Sequence, residues 1–95
     1  MNEIDFRHWL SKSDRSKKVQ QDIVSRLKTL RRAFNNCDLD VEYKKDKCES
    51  LFKALENKGI NDEMKKYGDV RLPIGKYTLS VYRYALRLYV KFLES

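Results

Sequence analysis

Lysine and arginine recur at helical spacing in two separate parts of this 95-residue chain. Lys17, Gln21, Lys28 and Arg32 follow one another at intervals of 4, 7 and 4, with Lys18, Ser25 and Arg31 beside them. Near the other end Arg83, Arg87 and Lys91 step by four, next to Ser80 and Tyr84. Residues three, four or seven apart share one face of an α-helix, so each set forms a stripe of hydrogen-bond donors. Arginine's planar fork places two parallel N–H bonds on a phosphate or on the edge of a guanine, and lysine adds a point charge. The chemistry suited to these residues is the binding of a polyanion.

Bond-making chemistry finds little to work with. His8 is the one histidine, set between Arg7 and Trp9 with no cysteine or second histidine at metal-ligand spacing. Cys37 and Cys48, the two cysteines, lack a zinc-type spacing and read as free thiols of a reducing compartment. The three glycines form neither a phosphate-binding loop nor a nucleophile elbow, and a catalytic triad would lack its partners. No cofactor, no metal and no enzymatic activity are expected. The acidic opening Met1-Asn2-Glu3-Ile4-Asp5 does not resemble a signal peptide, and no apolar run reaches the roughly 18 residues a membrane span needs. A cytoplasmic location without a membrane partner follows as the expectation.

The charge is sorted along the chain. Residues 7–34 hold nine bases against two acids and residues 71–95 five against one, whereas residues 35–70 are slightly acidic. The total of +7 is therefore concentrated at the two basic stripes. Glu42, Glu49 and Glu56 step by seven along the segment between them, a face that should repel nucleic acid. Arg26 stands apart from the stripe, at the border of the apolar positions, and Asp22 one turn earlier predicts a structural ion pair for it.

Helices must carry these side chains, because 41% apolar and 37% charged residues with only 3 Gly and 1 Pro favour amphipathic helices over a sheet. Ile4, Phe6, Trp9 and Leu10 predict a short first helix capped by Asn2 and ending near Ser11 to Ser13. Val19, Ile23, Leu27, Leu30 and Phe34, at spacings of 4, 4, 3 and 4, predict a long second helix over 14–34. Asn35, Asn36 and Asp38 break it. A third helix is expected over 41–57, burying Val41, Cys48, Leu51, Phe52 and Leu55 and stopping at Lys58-Gly59. Asn61 to Met64 begins a further turn or two, 69–75 reads as a loop around Leu72-Pro73, and a last helix starts near Tyr77 or Thr78.

In that last helix Leu79, Tyr82, Leu86, Tyr89 and Leu93 repeat at 3 and 4, while Val81, Ala85, Leu88 and Phe92 form an adjoining ridge. Together the ridges cover about 200° of the helix, twice the usual stripe, so the helix is either central or has a partner. Tyr82 and Tyr89 belong to the core repeat, Tyr43, Tyr67 and Tyr77 fall near helix ends, and Tyr84 alone points with the bases.

Phe6-Arg7-His8-Trp9-Leu10 followed by a long basic helix, and Thr78-x3-Tyr82-x3-Leu86-x2-Tyr89-x2-Phe92-Leu93, resemble the N-terminal core-binding domain of tyrosine recombinases and phage integrases. That likeness implies a SAM-like bundle of about four helices that grips duplex DNA while a separate domain cleaves it. The catalytic Arg, His and Tyr set of that other domain has no counterpart here. The sequence thus predicts an all-α, single bundle of four to five helices over residues 1–95, standing alone or forming a module of a longer architecture, that binds double-stranded DNA without catalysis. The contacts expected are Lys17, Lys18, Gln21, Lys28, Arg31, Arg32, Arg83, Arg87 and Lys91. A rival expectation is a protein-interaction or dimerisation module using Val81, Leu88 and Phe92 of the last helix.

Overall fold

Ser16 sets the start of the longest helix: its hydroxyl accepts the amide of Val19 at 3.2 Å. In the computed structural model, which describes residues 1–56, 60–68, 70, 72 and 79–95, that helix is the second of six helical segments. They are α1 (Glu3–Ser11), α2 (Lys17–Ala33), α3 (Leu39–Asp46), α4 (Glu49–Ala54), α5 (Asp62–Lys66) and α6 (Ser80–Glu94), and no strand occurs among the described residues. The chain is all-helical, as its composition predicts. The expected stop at Lys58-Gly59, the loop position Pro73 and the starts at Tyr77 or Thr78 lie outside the described residues.

Local chemistry explains most boundaries. Asn2 caps α1 through its side-chain oxygen, which accepts the amide of Asp5 at 3.4 Å. Asp38 caps α3 by accepting the amide of Asp40 at 3.0 Å, and Asn61 caps α5 by accepting that of Met64 at 2.8 Å. The side-chain nitrogen of Asn61 also donates to the carbonyls of Ala54 and Glu56, tying α5 back to the end of α4. Between α2 and α3, Asn35 and Asn36 both take positive φ (59° and 56°), a conformation asparagine tolerates better than most residues.

One boundary departs from expectation. The single helix expected over 41–57 is two, because Lys47 and Cys48 both adopt the left-handed conformation, with φ of 58° and 64°. The break turns α4 away from α3, and Asp46 receives the freed end: its carboxylate accepts both the amide and the hydroxyl of Ser50, at 3.2 and 2.5 Å. Those bonds, the hydroxyl first, hold the Asp46 carboxyl below the usual carboxylate range. The kink also corrects the predicted buried face. Cys48, Leu51 and Leu55 are buried and Phe52 packs against the core, but Val41 is 58% exposed.

The core forms where α6 lies across α2, with α1 closing over both. Phe6 and Leu10 of α1, Ile23, Val24, Leu27 and Leu30 of α2, and Tyr82, Ala85, Leu86, Leu88 and Tyr89 of α6 are all buried. Phe6 meets Tyr89 edge-on with ring centroids 5.1 Å apart and Phe92 at 5.5 Å, and Trp9 stacks on Phe6. Edge and tilted geometries bring the positive rim of one ring to the negative face of the next. Val19, expected on the buried face of α2, is 42% exposed at the helix entrance.

The principal extents of 37 × 32 × 19 Å describe a slab about two helices thick, so most helices keep one face in the core and one toward solvent. No helix among the described residues is long and apolar enough to cross a membrane.

Candidate nucleic-acid interface

Rotation about α2 decides which of its bases can act together. At about 100° per residue Lys17 and Lys28 lie on one flank, Gln21, Arg32 and Lys18 on the crest, and Arg26 on the far flank, about 160° from Lys28. Two contacts fix this orientation in the fold. The ammonium of Lys28 pairs with the Glu3 carboxylate of α1 at 3.0 Å, and Arg26 shares a pocket with residues of α6. The crest, between α1 and α6, therefore faces solvent.

The predicted contact residues separate into three groups. Lys17, Lys18, Gln21 and Arg32 are exposed on the crest and its Lys17 edge, and no acid occupies the first turn of α2. Two lysines at the positive end of a helix dipole raise the local potential further. Arg83, half-buried, and the exposed Arg87 and Lys91 form the outer strip of α6. Among the described residues none of Lys17, Lys18, Arg32, Arg83, Arg87 and Lys91 makes an ion pair.

Two predicted contacts are already engaged elsewhere. Lys28 shares Glu3 with Arg7, whose Nε lies 2.8 Å from the same carboxylate. Those bonds, Lys28 first, hold the Glu3 carboxyl below its ordinary range. Arg31 is half-buried and donates from Nε to the carbonyl of Cys37 at 2.8 Å, so it braces the turn after α2. Its fork is partly spent on the fold.

Arg26, which its sequence context places in an ion pair with Asp22, lies beside the α6 strip. No ion pair joins Arg26 to Asp22 among the described residues, and Arg26 instead lines a pocket of about 370 Å³ with Ser80, Val81, Arg83, Tyr84 and Arg87. No acid lines it. Arg15, from the turn between α1 and α2, reaches the rim by donating to the Tyr84 hydroxyl at 2.9 Å. The available signal was the position of Arg26 on the α2 flank beside Val19 and Ile23, where a second helix had to pack. A neighbouring pocket of about 500 Å³ shares Arg83 and Arg87 but adds Phe52, Glu56, Val90, Lys91 and Glu94. Its two glutamates make that end of the α6 strip less attractive to anions, and Glu94 also accepts a hydrogen bond from the Tyr43 hydroxyl at 3.1 Å.

The residues of the rival expectation are largely committed to the fold. Leu88 is 5% exposed and belongs to the core, which corrects its assignment to an outward face. Val81 and Phe92 are half-buried, and the Phe92 ring contacts Phe6, Trp9 and Tyr89. The broad apolar arc of α6 is covered by α2 on one side and α1 on the other.

The fold disfavours the thiolate form of both cysteines. Cys37 is half-buried and Cys48 buried, both free, and burial pushes the Cys48 thiol up to about 12, with Glu42 and Asp46 adding to the effect. A protonated thiol is a weak nucleophile. Among the described residues no group of three His, Cys, Asp or Glu side chains is placed to hold a metal ion.

No protein-family model matches the chain, and neither a curated protein nor a solved structure shows significant similarity to it.

Proposed function

We propose that this chain is a non-catalytic, cytoplasmic helical module that binds double-stranded DNA through its phosphates. The observation that carries the reading is the set of exposed cations, Lys17, Lys18 and Arg32 on α2 and Arg87 and Lys91 on α6, that make no ion pair among the described residues. Solubilising charge on helical surfaces is commonly laced with acids one turn away, as Lys53 is with Glu49 and Lys66 with Glu63 here. On the α2 crest and the α6 strip, Asp14, Asp22 and Glu94 stand within a turn of the bases, yet none of them pairs with those bases among the described residues. The resemblance to the core-binding domain of tyrosine recombinases supports the same reading, with a SAM-like arrangement of the bundle and a helical clamp on one side of the duplex.

Binding of this kind releases counterions. Five neutralised phosphates give a slope of log K against log[salt] of about −4 to −5. Fluorescence anisotropy of a labelled random-sequence duplex, titrated at about 50 and 200 mM salt, should show affinity falling by about two to three orders of magnitude. Absence of binding at the lower salt would refute the proposal.

A further inference from the structure

The Arg26 pocket differs from the open α2 crest in being concave, aromatic on one side and built from three parts of the chain. Arg26 comes from α2, Arg83 and Arg87 from successive turns of α6, and Arg15 from the turn between α1 and α2 stands at the rim on the Tyr84 hydroxyl. Among the described residues none of the four arginines makes an ion pair and no acid lines the pocket. The pocket also abuts the first turn of α6, which contains no acid and whose cap residue, Leu79, supplies no side-chain bond. Positive charge is thus gathered from guanidiniums near a helix start, with no acid among the described lining residues. Like charges held close repel, and an anion placed among them removes that repulsion.

We propose that this pocket is a site for a nucleoside phosphate monoester, the phosphate lying among Arg26, Arg83 and Arg87 and the nucleoside against the Tyr84 ring and Val81. The charge selects a monoester over an internal diester. A terminal phosphate carries about −1.5 to −2 at pH 7, against −1 for a backbone phosphate, and offers three acceptor oxygens to the guanidinium forks. The size agrees, since about 370 Å³ falls within the range of small-ligand sites and exceeds what a lone phosphate fills. Tyr84 is 41% exposed, leaving a ring face on which a base can rest. The same chemistry is present in a free mononucleotide and at the 5′-phosphorylated end of a strand. The site deepens the proposed polyanion binding but involves Arg26, which the α2 crest does not use.

The test follows the arginine Nε–H and Tyr84 amide resonances of ¹⁵N-labelled full chain by NMR while dAMP, deoxyadenosine and inorganic phosphate are added in turn. In parallel, anisotropy compares a short blunt duplex carrying 5′-phosphates with its 5′-hydroxyl twin. dAMP should shift Arg26, Arg83, Arg87 and Tyr84, deoxyadenosine should not, and inorganic phosphate should bind several-fold more weakly than dAMP. Binding of dAMP should weaken as pH falls from 7 to 5, because the monoester gains a proton while arginine stays charged. The exposed-site variant Arg87→Gln, and separately Arg26→Gln, should reduce these shifts at least several-fold with an unchanged helical spectrum. Preference for the 5′-phosphorylated duplex over dAMP assigns the site to strand ends, and equal or better binding of dAMP assigns it to free nucleotides. Equal response to dAMP and deoxyadenosine, together with equal affinity for the two duplexes, overturns the pocket and leaves the backbone reading standing. Binding of dAMP without binding of the 5′-hydroxyl duplex at low salt does the reverse.

Discussion

Glu3 of α1 holds Lys28 of α2 at 3.0 Å, so a lysine that the sequence places in the basic stripe is shared between the fold and any anion. The pair is partly exposed, with side-chain exposures of 45% for Lys28 and 32% for Glu3, and solvent screening limits it to about 0.2–1 kcal/mol. Because the Glu3 carboxyl titrates below its unfolded value, this stability is present above about pH 4.3 and is lost as pH falls through the lower, folded value. Glu3→Gln should therefore lower the urea midpoint slightly at pH 7, by an amount that shrinks at pH 3 and in high salt. The same variant frees Lys28 for phosphate. Its salt slope on duplex DNA should steepen by about one unit, which repeating the anisotropy titration would detect.

Tyr89 is a polar joint within the core. Its buried hydroxyl accepts the amide of Asn2 at 2.8 Å and donates to the Asp40 carboxylate at 2.5 Å, linking α6 to the starts of α1 and α3. Tyr89→Phe leaves the ring packing with Phe6 intact but strands both partners, for an expected loss of about 1–3 kcal/mol. For a domain of this size that corresponds to a melting temperature lower by roughly 5–20 °C, measurable by circular dichroism.

Cys48, Tyr67 and Tyr89 lead the groups whose protonated form the fold favours, and Cys37 is raised too. Burial first, then nearby carboxylates, pushes the Cys48 thiol and the Tyr67 phenol up to about 12, and burial followed by the bond to Asp40 raises the Tyr89 phenol as well. A group with a higher folded than unfolded pKa binds its proton more tightly when native. Its stabilisation is complete below the unfolded value, about 8.5 for Cys and 10 for Tyr, and declines as pH climbs toward the folded one. Urea midpoints should thus be flat from pH 7 to 8 and fall steadily above about pH 9. Cys48→Ala should begin lower, through lost packing, yet show a shallower decline between about pH 9 and 10, where the unfolded chain's thiol loses its proton.

Legibility in the sequence followed how local the determinant was. The 4, 4, 3, 4 spacing of α2 and its break at Asn35-Asn36 are properties of neighbouring residues, and the structure reproduces both to within a few residues. The Asn2 cap and the helix start at Asn61 were readable for the same reason. The split at Lys47-Cys48 was not, because neither residue type favours the left-handed conformation and only the tertiary demand to bury Cys48, Leu51 and Leu55 enforces it. Arg26 illustrates the same divide at the site. Its acid at i−4 suggested a local pair, and its actual neighbours, Arg83 and Arg87, are more than fifty residues away in sequence.

The strain at Lys47 makes the split testable. Lys47 is exposed and sits at the α3 C-terminus with φ 58° and ψ 34°, a position where glycine carries no Cβ penalty. Lys47→Gly should stabilise the protein by about 0.5–1 kcal/mol, the relief of a left-handed β-carbon less the extra entropy glycine loses on folding. Lys47→Ala, which keeps the β-carbon, should leave the urea midpoint nearly unchanged. A continuous α3–α4 helix would give the opposite order, with glycine the more damaging substitution by about 1 kcal/mol.

Leu88 separates an interaction face from a core position. On an outward apolar ridge, Leu88→Glu would dissolve a self-association and leave the monomer folded. In this structure Leu88 is 5% exposed within the cluster that joins α6 to the rest of the bundle. A carboxylate there has no cation to meet it in that cluster, whose buried members are all apolar or aromatic. Desolvating the charge and removing the leucine contacts together should cost about 4 kcal/mol or more, comparable with the whole stability of a small domain. Leu88→Glu should therefore lose its cooperative thermal transition. The control is Val41→Glu, at a site 58% exposed, which should melt within a few degrees of the unaltered chain. A folded Leu88→Glu monomer with an unaltered melting curve would show that this ridge faces outward after all and would restore the interaction-module reading.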